Sequence, residues 1–150
     1  VIRSVDNNLL LLIVTSLALG SVIQITGTAN FLSQSLVDFL GNSSPLVLLL
    51  CFYMLVSITT NFISNNACAV LFTPIAIDIA EKINVDPKIF SIALIFSVNT
   101  SFVTTIAYQT NLLVMGPGHY KFIDYVKFGL PLTILCWVVF FITFPLFYQL

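Results

Sequence analysis

The groups in this chain that can do chemistry are hydroxyls and amides, gathered in two clusters. Thr59-Thr60-Asn61-Phe62-Ile63-Ser64-Asn65-Asn66 form the first. Asn99-Thr100-Ser101, with Thr104-Thr105-Ile106-Ala107-Tyr108-Gln109-Thr110-Asn111, form the second. Each falls in the middle of an uncharged stretch, 39–77 and 89–120 respectively. A loop in water would carry charge, and a lipid-facing helix would avoid this density of polar side chains. Helices broken at membrane depth satisfy both facts, because their freed backbone and side-chain oxygens line a cavity. The N-terminus of a half-helix attracts anions, and unwound carbonyls coordinate cations such as sodium without any carboxylate. Thr60 and Ser64 stand four residues apart, a spacing that lets both face one point at the end of a helix. Asn65 and Asn66 then offer amide donors where the next helix begins, a place to hold an anionic substrate. The competing reading is that these side chains only cap helices and stitch them together. A second cluster of the same chemistry weighs against it.

Other candidates carry less. His119 is the single histidine and follows Gly116-Pro117-Gly118, which reads as a loop. Asp78 and Glu81 lie near a helix end and read as solvated or paired with Lys82. No carboxylate falls in the middle of an expected span. The sequence holds no zinc-binding His pair, Ser/His/Asp set or intramembrane Asp pair, so an intramembrane hydrolase has no support and the chain is expected to be no enzyme, without a cofactor. Cys51, Cys68 and Cys136 sit in apolar stretches at unrelated spacings and read as small hydrophobes.

The elements that must position the clusters follow from composition. The chain has 150 residues, 59% hydrophobic and only 7% charged, with a mean hydropathy of +1.07. Soluble domains carry roughly 25% charge, so this is a membrane-integral, all-α chain. A net charge of −1 excludes a nucleic-acid partner, which would need a basic face. Residues 8–25 are long enough to span a bilayer. Residues 29–40 mix Phe31, Leu36 and Phe39 with Ser33, Gln34 and Asp38, which predicts an amphipathic helix near an interface. Pro45 suits the first turn of the next helix. The apolar run 67–77 is too short to cross alone before Asp78, so 46–81 is predicted to form a re-entrant hairpin with Ser64-Asn65-Asn66 at its tip. Residues 88–118 read as one span broken at the second cluster. Residues 128–148 read as the last full span, flanked by interfacial aromatics at both ends.

The quoted residues resemble a known family. Thr60 to Ala67, followed by Leu71-Phe72-Thr73-Pro74, resembles the hairpin-tip signature of the divalent anion:sodium symporters of the ion transporter superfamily. Ala107 to Asn111, then Gly116 to Tyr120 and Phe122-Ile123-Asp124-Tyr125, resembles that family's broken helix and the loop after it. The similarity runs from about Leu9 to Leu150 and is nearest to bacterial and algal members of the sulfate-permease kind. The resemblance implies sodium-coupled uptake of a sulfate-like oxyanion or a di- or tricarboxylate. It implies a sodium site at Thr60, Ser64, Asn65 and the backbone of Ala107, with Asn65, Asn66, Thr110 and Asn111 facing substrate. Asn66 departs from the family's usual Thr, Asn61 stands where many carboxylate carriers have Glu, and Gln109 stands where several have Pro. These changes would alter the cavity lining, so an inorganic oxyanion stands beside a dicarboxylate.

No secretory signal is visible, and with Val as first residue, 150 residues and no soluble domain the chain is expected to be a piece of a longer polypeptide; the resemblance implies that it is the C-terminal part of one transmembrane transport domain. That part would be an incomplete second inverted repeat in a multi-pass plasma or inner membrane protein. Its expected partners are lipid, sodium, a small anion, the missing N-terminal part of the same transporter and, at full length, a second copy in a homodimer. Arg3, Lys121 and Lys127 tip the side they share toward the cytoplasm. Two other readings remain: a proton-coupled antiporter of the same superfamily, and a non-transporting membrane scaffold or subunit.

Overall fold

The structure is a computed structural model that describes residues 14–15, 18, 21–22, 25–40, 44–105 and 108–148. The expected span 8–25 lies for the most part outside these residues. The ordered elements are all helical: α1 Thr28–Leu40, α2 Pro45–Thr59, α3 Asn65–Lys82, α4 Pro87–Val98, α5 Gln109–Met115 and α6 Phe122–Phe147.

Local chemistry sets the helix ends. Ser44 precedes α2 with Pro45 at the first helical position, where the missing N–H costs nothing. Ser64 caps α3 by accepting from the Ala67 amide at 3.3 Å. Asp86 caps α4 by accepting from the Lys88 amide at 2.9 Å, ahead of Pro87. Helix α3 ends in Asn84, which has φ 54°. The amide of Asn84 donates to Glu81 O at 3.2 Å and that of Val85 to Ala80 O at 2.9 Å, the Schellman pattern that satisfies the last carbonyls. His119, also at φ 54°, closes α5 in the same way through Tyr120 N to Met115 O at 3.1 Å, so the lone histidine is a helix stop. Helix α6 begins at Phe122, well before Phe128, because the Lys121 amide donates to Asp124 Oδ2 at 2.8 Å and starts the helix there.

Helices α2 and α3 run antiparallel about the turn at residues 60–64. Phe52 meets Phe72 with ring centroids 6.1 Å apart, and nearer the tip Cys68 Sγ donates to Val56 O at 3.9 Å. Helix α4 packs against both arms, with Phe90 5.8 Å from Phe52. Helix α6 reaches α2 through Tyr53, stacked on Phe140 at 3.8 Å. Leu49, Phe52, Val56, Ile79, Phe90 and Ala93 are fully buried and form the core. Helix α1 lies on the far half of α3, where Lys82 pairs with Asp78 at 3.1 Å and donates to Asn30 Oδ1 at 2.6 Å and to the buried Ser33 Oγ at 2.7 Å. Among the described residues α6 alone is long and apolar enough to cross a membrane, while α2 and α4 are shorter apolar helices. Ile58, Ile95, Phe128, Leu135 and Ile142 are among the large side chains left bare on the outside, which suits a hydrocarbon solvent.

Candidate functional site

Two interruptions of helix meet in the interior. After Thr59 the chain leaves α2 through residues 60–64, and after Val98 it leaves α4, with the described residues 99–105 and 108 non-helical ahead of α5. Thr60 is fully buried where the two come together. Its Oγ1 lies 2.9 Å from Asn65 Oδ1 and 3.1 Å from Val98 O, the carbonyl of the last residue of α4. One hydroxyl proton serves one acceptor at a time, so this nest of three oxygens always keeps an acceptor to spare. That is the arrangement a small hard cation can satisfy.

Asn65 is half-buried at the first position of α3 and also lines a cavity of about 270 Å³. Asn99, Ser101, Phe102, Tyr108 and Asn111 complete the lining. The start of α3 contributes amide donors and the positive end of an 18-residue helix. Asn111 comes from α5 and is held in place from two sides. Its Nδ2 donates to Ser101 O at 3.3 Å and Thr104 O at 3.2 Å, while its carbonyl accepts from the Tyr125 hydroxyl at 2.9 Å. The lining is thus amides, hydroxyls and aromatic faces, a chemistry that can offer hydrogen bonds to a small polar ligand.

The residues singled out in the sequence divide. Thr60 and Asn65 share the oxygen nest, and Asn65 and Asn111 share the cavity, one from each cluster. Ser64 does not converge on Thr60: it is exposed and its Oγ is turned to the Ala67 amide. Asn66 is exposed. Thr110 lines a neighbouring cavity of about 330 Å³ that shares Phe102 and Asn111 with the first. Ala107 lies outside the described residues.

Three features escaped the sequence. Val98 contributes a carbonyl, which no side-chain pattern announces. Asn61 does not line the central cavity but is buried at 6% exposure between the two interruptions. Its Oδ1 accepts from the Val103 amide at 3.0 Å, and the Thr104 hydroxyl donates to its carbonyl. Beside it Ser57 and Thr100 share a hydroxyl–hydroxyl bond, and Trp137 Nε1 donates to Ser57 Oγ at 2.7 Å. Gly129 of α6 is the third, since a Cβ there would stand 2.1 Å from Phe102 O. A glycine inside an apolar span is the signal that could have pointed to such close approach.

Bare apolar flanks around a buried polar break suit a helical protein whose solvent is hydrocarbon. The chain belongs to the citrate transporter family (CitMHS), whose profile matches residues 1–149. It is similar to an uncharacterized transporter of Synechocystis, 38% identical over 78% of this chain and 19% of that protein. It is similar to the Na(+)/citrate cotransporter of Rattus norvegicus, 29% identical over 85% of this chain and 22% of that protein. Sodium/sulfate cotransporter 1 of Chlamydomonas reinhardtii is 24% identical over 86% of this chain and 15% of that protein. These names agree with the divalent anion:sodium symporter resemblance. The chain spans about a fifth of the length of these relatives.

Proposed function

We propose that this chain supplies half of the ligands of a sodium-coupled carrier of a divalent anion, either a sulfate-like oxyanion or a di- or tricarboxylate. The observation that carries the reading is Asn65, whose Oδ1 belongs to the oxygen nest while the residue also lines the amide-rich cavity. Sodium held by Thr60 Oγ1, Asn65 Oδ1 and Val98 O would sit beside the anion and offset its charge. A cavity of about 270 Å³ lies near the lower end of ligand pockets, roughly 300 Å³, and suits a small substrate. In this reading 46–81 is a re-entrant hairpin, 88–118 a broken span and 128–148 the last span of a multi-pass membrane protein. Its inverted counterpart would come from an N-terminal part of the same transporter, and at full length the protein would pair with a second copy in a homodimer. In the same reading the backbone of Ala107 adds to the sodium site, and Asn66 and Thr110 to the substrate site.

The test is uptake of labelled sulfate and of labelled citrate by the full-length transporter in proteoliposomes, under a sodium, potassium or proton gradient. Sodium alone should drive uptake. Thr60→Val removes a ligand oxygen and should raise the sodium needed for half-maximal uptake on the order of 10-fold, as for a lost bond to a charged group, with Thr60→Ser close to wild type. Uptake driven by protons and indifferent to sodium would refute the reading in favour of the antiporter. No uptake from an intact, inserted protein would favour the scaffold.

A further inference from the structure

We propose that Asn61 is a positioning residue that couples the oxygen nest to the anion cavity, so that a cation in the first tightens the second. This rests on the sodium-coupled reading above. Asn61 follows Thr60 directly, and its side chain spans the gap between the two helix interruptions. Its Nδ2 donates to Ser57 O in α2 at 2.7 Å and to Thr100 O at 3.4 Å across the gap. Its Oδ1 accepts from the Val103 amide at 3.0 Å, and its carbonyl accepts from the Thr104 hydroxyl. One buried residue thus holds the unwound segment after α4 at three points.

The far side of that segment reaches the cavity. The carbonyls of Ser101 and Thr104 accept from Asn111 Nδ2, and Ser101 and Asn111 are both part of the cavity wall. A continuous path of bonded groups therefore runs from Thr60 through Asn61 and residues 100–104 to Asn111. A cation that draws Thr60 Oγ1, Asn65 Oδ1 and Val98 O together closes the end of α2 on the end of α4. With Asn61 in place, the chain beyond Val98 must follow and carry Ser101 and Asn111 with it. Without the Asn61 side chain, only the Thr104 hydroxyl on the backbone carbonyl still ties residues 100–104 to the end of α2, and the nest can tighten with the segment lagging behind. The Val103 amide would also be left without its acceptor, which loosens the segment further. Coupling between two sites is reciprocal and is measured as the change one ligand makes in the other's affinity.

The experiment uses the full-length transporter with radiolabelled sulfate and citrate as anion probes. Anion affinity is measured at low and at saturating sodium, and sodium affinity without anion is read from sodium's protection against thermal unfolding. In the wild type, sodium should raise anion affinity on the order of 10-fold or more. In Asn61→Ala that gain should fall to about 2-fold or less, with anion-free sodium affinity within about 3-fold of wild type. Thr104→Val, which removes one of the four bonds, should lose part of the gain, and Thr104→Ser should restore it. An Asn61→Ala protein that keeps the full gain overturns the proposal, as does one that loses both affinities in proportion, the mark of mere misfolding. If Asn61→Ala fails to insert, the Thr104 pair decides, and an unchanged gain in Thr104→Val overturns the proposal. A wild type whose anion affinity ignores sodium would instead sink the sodium reading itself.

Discussion

Replacing Gly129 by Ala tests whether the unwound segment is held by close packing. A Cβ at Gly129 would lie 2.1 Å from Phe102 O, 2.5 Å from Phe102 C and 2.9 Å from Val103 Cα. All three are backbone atoms, so no rotamer change relieves the clash, and α6 or residues 102–103 must retreat on the order of 1 Å. Overpacking of this kind costs about 1–3 kcal/mol. Helix propensity returns at most about 1 kcal/mol, because Ala is favoured over Gly in a helix interior. The net expectation is a loss of up to about 2 kcal/mol in stability. The displacement also falls on the cavity. Asn111 reaches Ser101 O at 3.3 Å and Thr104 O at 3.2 Å, near the outer limit of a hydrogen bond, so either bond breaks on a shift of that size. Uptake per folded molecule should therefore fall along with stability. Gly116→Ala is the control, since a Cβ there meets nothing within 4 Å. The assay is the thermal midpoint of the solubilised full-length transporter, with initial uptake normalised to surface amount. A Gly129→Ala protein matching Gly116→Ala in both would refute the argument.

Two further outcomes are expected. Cysteines introduced at Ser44 and Asn84, both exposed at the open end of the α2–α3 pair, should react with a membrane-impermeant thiol reagent from the same face of the bilayer; labelling from opposite faces would rule out the re-entrant hairpin. Lys82→Met removes the Asp78 pair and the bonds from Lys82 to Asn30 and Ser33, leaving the Ser33 hydroxyl bonded to Asp78 as a remaining polar tie of α1 to α3; since both partners of the pair are partly exposed, the loss should be about 1 kcal/mol, and an unchanged thermal midpoint would show that the Lys82 bonds add nothing to the hold on α1.

The sequence alone determined the membrane character, the all-helical class, the two polar clusters and the family. Those follow from hydropathy, from the scarcity of charge and from side-chain types in order along the chain, all of which are local properties. It also marked Thr60, Asn65 and Asn111, because hydroxyls and amides at membrane depth are costly wherever they fall and so stand out. What only the tertiary structure decided is which of these meet. Ser64 and Asn66 have the same chemistry as their neighbours, yet the turn that starts α3 leaves both exposed, one on its own cap. Val98 offers a carbonyl only because α4 stops there and Thr60 arrives opposite it from another helix. Asn61 looked like a change of cavity lining and instead joins two segments far apart in sequence. Gly129 matters because Phe102 lies against it. Side-chain type and spacing report what a residue can bond, whereas the choice of partner depends on where packing brings distant backbone together.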